Sequence, residues 1–179
     1  MSMDASSENI GPVGVKLIAE ALRTSVTGAL TKLSLAQNKL EEAGTQAICE
    51  ALEQNKMLKE LDIRGRGIFG NSNIGGKAGV NHAAKMLGVN GGLTKISLAN
   101  NKLGEEGTKA ICEALEQNKT LKELDISGNM YGSNIGGSAG VKHVAKMLGV
   151  NGGLTALDLS SNDVKDEGVS AVCEAIQSN

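Results

Sequence analysis

LTKISLANNKLGEEGTKAICEALEQNKT, residues 93–120, is a complete structural unit of 28 residues. Its two halves follow different periods. Ile96 and Leu98 lie two apart, which puts both on one face of a short strand. Gly107, Ala110, Ile111, Ala114 and Leu115 recur at i, i+3, i+4, i+7 and i+8, one apolar stripe along a helix. Neither half buries its face alone, so the unit requires copies of itself stacked on its sides.

The copies are present. Leu30–Met57 is the same unit 63 positions earlier, and Leu154–Asn179 is a third. Between them lie two longer units, Leu58–Gly92 and Leu121–Gly153, which share the opening LKELDI and the ending AKMLGVNGG. The chain therefore divides into repeats 30–57, 58–92, 93–120, 121–153 and 154–179, short and long in alternation. Residues 10–29 match only the helical half, with Ile10, Gly14, Ile18 and Leu22 in the places of Leu40, Gly44, Ile48 and Leu52. Residues 1–9 read as a loose polar segment, and residues 10–179 as one domain. The expected fold is α/β: a solenoid of stacked βα units with five parallel strands and six helices. The last strand, Leu157–Leu159, is left with an uncovered edge, from which weak self-association through the C-terminal repeat is expected.

Composition fits a stack of small units. The 179 residues carry a net charge of −2 and are 40% hydrophobic, yet they hold one Phe, one Tyr and no Trp. Leu, Ile and Ala fill thin layers without large rings. No apolar run approaches the ~20 residues needed to span a bilayer, and the opening MSMDASSENIG lacks the apolar centre of a signal peptide. Cys49, Cys112 and Cys173 recur at one helical position, too far apart for the ~7 Å limit of a disulfide, and three unpaired thiols suit the cytoplasm.

Most polar residues have structural explanations. Carboxylates at 41, 42, 105, 106, 166 and 167 open the short-repeat helices, where they offset exposed N–H groups and the helix dipole. Lys32, Glu60, Lys95 and Glu123 form one column of alternating charge across adjacent strands, and Ser34, Asp62, Ser97, Asp125 and Asp158 form the next. His82 and Met86, and His143 and Met147, stand where the short repeats carry paired alanines, so large side chains alternate with small ones along the helix layer. The two histidines are two repeats apart, about 16–20 Å at ordinary helix spacing, too far to share a metal. No metal or other cofactor is expected, no acid/base or nucleophilic constellation points to an enzyme, and no basic track points to nucleic acid. Gly75-Gly76-Lys77 opens a helix, but the flanking Asn71 and Ala78 do not fit a phosphate loop.

Asn38, Asn101, Asn129 and Asn162 occupy a repeated position whose buried amide is expected to satisfy neighbouring backbone groups; Arg66 stands there in the second repeat, with Asn71 or Asn73 as its substitute. The period, with N-x-L-x-x-x-G-x-x-x-I-C-E-A-L at Asn38–Leu52 and Asn101–Leu115, resembles the ribonuclease-inhibitor type of leucine-rich repeat, found also in NOD-like receptors and the Ran GTPase-activating protein. The resemblance implies a curved right-handed βα solenoid, strands on its concave face and helices on its convex face, that serves as a non-catalytic scaffold binding another protein. Regulation of a small GTPase is the alternative it implies.

The binding candidates are the insertions of the long repeats. They add seven and five residues between strand and helix, and they hold the only aromatics, Phe69 and Tyr131, preceded by Ile68 and Met130. Loops on a rigid scaffold concentrate binding residues, and aromatics serve as anchors at interfaces. Leaving the same rim two strands apart, about 10 Å, the loops are expected to form one patch. The alternative for Phe69 and Tyr131 is that they fold back and seal their loops, which leaves the concave face around Asp62, Arg64 and Asp125 as the binding surface.

Overall fold

The computed structural model describes residues 1–24, 30–67 and 72–179. Among them six three-residue strands form one parallel sheet: β1 (Ser2–Asp4), β2 (Lys32–Ser34), β3 (Glu60–Asp62), β4 (Lys95–Ser97), β5 (Glu123–Asp125) and β6 (Ala156–Asp158), in that spatial order. Each strand leads to a helix: α1 (Pro12–Thr24), α2 (Glu41–Gln54), α3 (Gly76–Val89), α4 (Gly104–Gln117), α5 (Gly137–Leu148) and α6 (Lys165–Gln177). Contacts among the described elements join only successive strands and successive helices, so the molecule is a one-dimensional stack. No helix among the described residues is long and apolar enough to cross a membrane.

The sequence pattern predicts five strands, and the sheet has six. Residues Met1–Asn9, expected to be loose, carry β1, which pairs with β2 in the register Ser2↔Lys32, Met3↔Leu33, Asp4↔Ser34. The reason is local. β1 leads directly into Ala5, which is buried in the core, and the segment finds backbone partners in Ala5 N–H to Ser34 O and Thr31 N–H to Met1 O, both 2.9 Å.

The column register follows the sequence. Lys32 faces Glu60, Glu60 faces Lys95, and Lys95 faces Glu123. Ion pairs of 2.7 Å close Lys32–Glu60 and Lys95–Glu123, the latter raising the Lys95 pKa through its hydrogen bond to the carboxylate. These exposed pairs fix register more than they stabilise, since such pairs are worth ~1 kcal/mol or less.

Backbone groups between repeats are satisfied by asparagine. Asn38, Asn73, Asn101, Asn134 and Asn162 are buried along the β-to-α turns. Asn101 donates to Ile63 O (2.9 Å), Leu98 O (3.2 Å) and Ala99 O (3.3 Å), while its Oδ1 accepts from Asn73 N–H at 2.8 Å. The fourth member is Asn134 and not Asn129: Asn101 N–H donates to Asn134 Oδ1 at 2.9 Å, and Asn134 N–H to Asn162 Oδ1 at 2.7 Å. In the second repeat Asn73 replaces Arg66, donating to Leu35 O at 2.9 Å. The ladder keeps a fixed distance from the helix and not from the strand, because both insertions fall before it.

A second ladder closes the opposite edge. Asn55, Asn90, Asn118, Asn151 and Asn179 each donate through Nδ2 to the end of the preceding helix, from Asn55 to Leu22 O (3.1 Å) through to Asn179 to Leu148 O (2.6 Å). In Asn90, Asn118 and Asn151 the side-chain oxygen turns back to cap the N–H groups that lead into the next strand.

Helix packing repeats every two units. The residue after the helix glycine points at the following repeat. Val80 lies against Gly107 and Val141 against Gly168, so closely that a Cβ on either glycine would crowd the valine methyl. In α4 the same place holds Thr108, whose hydroxyl donates to Ile135 O of the next repeat at 3.1 Å. Met86 and Met147 are fully buried, and His82 and His143 half-buried, His143 with Nε2 3.6 Å from Glu105 Oε1. Gly75 and Gly136 precede α3 and α5 with φ of 80° and 84°, and a side chain on either would overlap the backbone of Glu42 or Glu105.

Candidate functional site

On the concave face the acidic column sits between the charge ladder and the β-to-α turns. Asp62 on β3 and Asp125 on β5 flank Ser97 of β4. Asp125 accepts from Ser97 Oγ at 2.7 Å through one oxygen, and from Ser127 N–H (3.0 Å) and Oγ (2.7 Å) through the other. Asp62 accepts from Arg64 N–H at 3.1 Å and pairs with Arg64 Nη2 at 2.9 Å. Burial pushes the Asp62 carboxyl above its ordinary range, against the pull of Arg64, with Asp125 adding to the rise. The strip offers carboxylates and hydroxyls with one guanidinium beside them, a surface able to accept hydrogen bonds along an extended partner.

The insertion of the fourth full repeat is a defined turn. Asn129 N–H donates to Gly132 O at 3.3 Å and Gly132 N–H returns to Asn129 O at 3.2 Å, closing residues 129–132. Asn129 Oδ1 accepts from Tyr131 N–H at 2.7 Å, and Asn129 Nδ2 donates to Asn100 Oδ1 at 2.6 Å. The asparagine expected in the buried ladder thus braces this turn. At the tip Met130 is 85% exposed and Tyr131 68% exposed. Tyr131 therefore does not seal its loop, although its base lines a shallow hollow with Asn100, Lys102 and Ser133. Ile68 and Phe69, the matching pair of the other loop, lie outside the described residues, as does Asn71. Immediately before them Gly67 lies close to Asn129 Nδ2, so the two loops start side by side.

Two features of the site go beyond the sequence reading. Arg66 reaches across the rim, Nε to Gln37 O at 3.2 Å. Ser72 and Ser133 cap the long-repeat helices by accepting from Gly76 N–H (3.2 Å) and Gly137 N–H (2.8 Å). The signal was the SNIGG shared by both insertions, whose isoleucines, Ile74 and Ile135, are buried and anchor the loop ends. The thiols of Cys49 and Cys112 are pushed up to about 12, first by burial and then by neighbouring glutamates, and stay protonated. Among the described residues no group of three His, Cys, Asp or Glu is placed to hold a metal.

Residues 93–112, 117–129 and 154–173 match the family model described as Leucine Rich repeat. The ribonuclease inhibitor of Sus scrofa is 35% identical over 141 residues, which cover 78% of this chain and 28% of the inhibitor. Human NACHT, LRR and PYD domains-containing protein 13 is 31% identical over 150 residues, 83% of this chain and 13% of that protein. The chain thus spans less than a third of the length of these relatives. Among solved structures, the tropomodulin C-terminal domain of Caenorhabditis elegans superposes with a TM-score of 0.72 over 92% of both chains at 13% identity. Leiomodin-1 Actin-Binding Site 2 superposes with a TM-score of 0.67 over 92% of this chain and 86% of that one, at 21% identity. At such identities the likeness is one of fold.

Proposed function

We propose, since this chain is a leucine-rich-repeat protein with repeats of the ribonuclease-inhibitor type, that it is a non-catalytic scaffold that grips another protein at its β-to-α rim and adjoining concave strip. The observation that carries this reading is the turn at residues 129–132. It holds Met130 and Tyr131 in solvent on a frame fixed by its own hydrogen bonds. Two large side chains in water are usable as anchors, and a turn already ordered loses little entropy when a partner closes on it.

The relatives support the same class. The porcine protein is named for inhibiting a ribonuclease, and the leiomodin-1 segment for binding actin. Each engages a protein. Ile68 and Phe69 would complete the patch from the neighbouring loop, and Asp62, Arg64 and Asp125 would take the polar part of the partner. The unpaired thiols support a cytoplasmic setting.

The test is capture of proteins from a cell lysate by the intact chain and by a Met130→Ser/Tyr131→Ala variant, with thermal melts of both. The reading expects the variant to melt as the parent does and to lose a partner the parent retains. Equal capture by both chains would remove the turn from the site. Acceleration of GTP hydrolysis in a panel of small GTPases would replace this reading with a regulatory one.

A further inference from the structure

The two ends of the stack are unlike each other, and their differences match. In α1 the side facing away from α2 exposes Val13 and Leu17, 77% and 71% accessible. In α6 the side facing away from α5 exposes Val169, Cys173 and Ile176, the last 60% accessible. Between α6 and β6 lies an open groove, lined in part by Leu154, Leu157, Leu159 and Val172.

The internal junctions share a pattern of paired residues. A helix with Cys at the fifth place after its glycine, α2 or α4, is followed by one with a large side chain at the third place, His82 or His143. A helix with Ala there, as at Ala19, Ala84 and Ala145, is followed by one with Ala47, Ala110 or Ala171. A Val directly after the glycine, as in Val80 and Val141, packs on the glycine of a helix that starts without the Gly-Gly insertion. The outgoing face of α6 carries Val169 and Cys173, and by the pattern of the internal junctions matches a helix with a plain start, a glycine, and a large residue three places on. α1 supplies all three, as Ile10, Gly14 and Leu17.

The strands agree. At the last internal junction Ile126 N–H donates to Asp158 O at 3.1 Å and Gly128 N–H to Ser160 O at 2.9 Å. The same groups one repeat on are the N–H of Leu159 and Ser161, and their counterparts on β1 are Asp4 O and Ser6 O. β1 and β6 are the two outer strands of the sheet, each with an edge facing away from it.

We propose that copies of this chain associate head to tail, the α1/β1 end of one copy seating on the α6/β6 end of another. The contact is heterologous and continues the solenoid across two molecules, so that it extends to chains longer than a dimer. One residue keeps it weak. Glu8 stands in the place of the ladder asparagine, where its carboxylate has no N–H to offer the carbonyls of the preceding copy.

The experiment is sedimentation velocity of the 179-residue chain over a wide concentration range, with Leu17→Glu and Ile176→Glu variants. Both substitutions are at exposed positions, and circular dichroism melts check that they fold. The parent is expected to sediment faster as concentration rises, and each variant alone to stay monomeric. Mixed, the variants should form a dimer that grows no further, because one intact head meets one intact tail. Glu8→Asn should tighten association about tenfold, the equivalent of ~1.4 kcal/mol. A monomeric parent at the highest concentration overturns the proposal. So does Leu17→Glu dimerising alone, which would mean that like ends pair.

Discussion

The third and fifth full repeats, 93–120 and 154–179, share a length class and a pattern, yet their equivalent side chains meet different fates. Ile111, Cys112 and Leu115 are buried in α4. Their counterparts in α6, Val172, Cys173 and Ile176, are half-buried, exposed and exposed. Leu98 is buried, and Leu159 is not. No change of residue type explains this, since the cysteines are identical and the others equally apolar. What differs is the neighbour: among the described residues α4 packs on both α3 and α5, whereas α6 packs on α5 alone. Burial here belongs to the position in the stack more than to the residue, so each interior layer is stabilised from both sides.

The largest effect that can sharpen this contrast is a cavity. Ile111→Ala should cost ~2–5 kcal/mol in a denaturant melt, whereas Val172→Ala, at the same place in α6, should cost less than ~1 kcal/mol. Equal losses would break the comparison.

A smaller effect separates two threonines. Thr108 and Thr45 are both buried, but Thr108 Oγ1 shares its one proton between Gly104 O at 2.7 Å and Ile135 O at 3.1 Å, while Thr45 Oγ1 has no partner. Thr108→Val should destabilise by ~1 kcal/mol. Thr45→Val should leave stability unchanged or raise it, because an unpaired hydroxyl is removed from the interior. Melts of the two variants decide it.

Smaller still is a backbone term. The first residues of the short-repeat helices lie in the left-handed region, at Glu41 (φ 56°), Gly104 (φ 64°) and Lys165 (φ 57°). Only the middle one uses glycine. Lys165→Gly and Glu41→Gly should each gain up to ~1 kcal/mol, and Gly104→Ala should lose about as much. Opposite signs would remove backbone strain from the account.

The smallest effect appears in pH dependence. Asp4 and Asp62 share one column, but hydrogen bonds from Ser6 lower the Asp4 pKa, whereas burial raises that of Asp62. Asp4 therefore stabilises above its ordinary 3.8, and that contribution fades as pH falls through its lower folded value. Asp62 carries a penalty at neutral pH that is relieved as pH falls through its raised folded value towards 3.8. Asp62→Asn should raise Tm at pH 7 more than at pH 4, and Asp4→Asn should lower it at pH 7. Melting curves at the two pH values check both signs.

The repeated apolar pattern made the helices, the column register and the alternation of layers legible in the sequence. The first strand was hidden because Ala5 and Glu8 replace the leucine and asparagine that mark it elsewhere, at Leu35 and Asn38. The strand spacing points to Asn129 as the ladder residue because an insertion separates strand from ladder, whereas the constant spacing to the helix glycine points to Asn134. The second asparagine ladder was visible as QNK and VNGG at fixed places, but its role depends on carbonyls of the preceding repeat, which periodicity does not display. At the candidate site the exposed loop followed from composition. The brace that Asn129 gives it did not, because a side chain choosing between a ladder and a turn is decided by three-dimensional neighbours.

The most direct test of position over sequence uses three equivalent thiols in one molecule. Cys49 and Cys112 are buried and Cys173 is exposed. Under native conditions and at high dilution, a thiol reagent followed by peptide mass analysis should modify Cys173 at the rate of a free cysteine. Cys49 and Cys112 should lag by orders of magnitude, reacting only as the stack opens. Comparable rates at all three sites, or Cys112 reacting as fast as Cys173, would contradict the account.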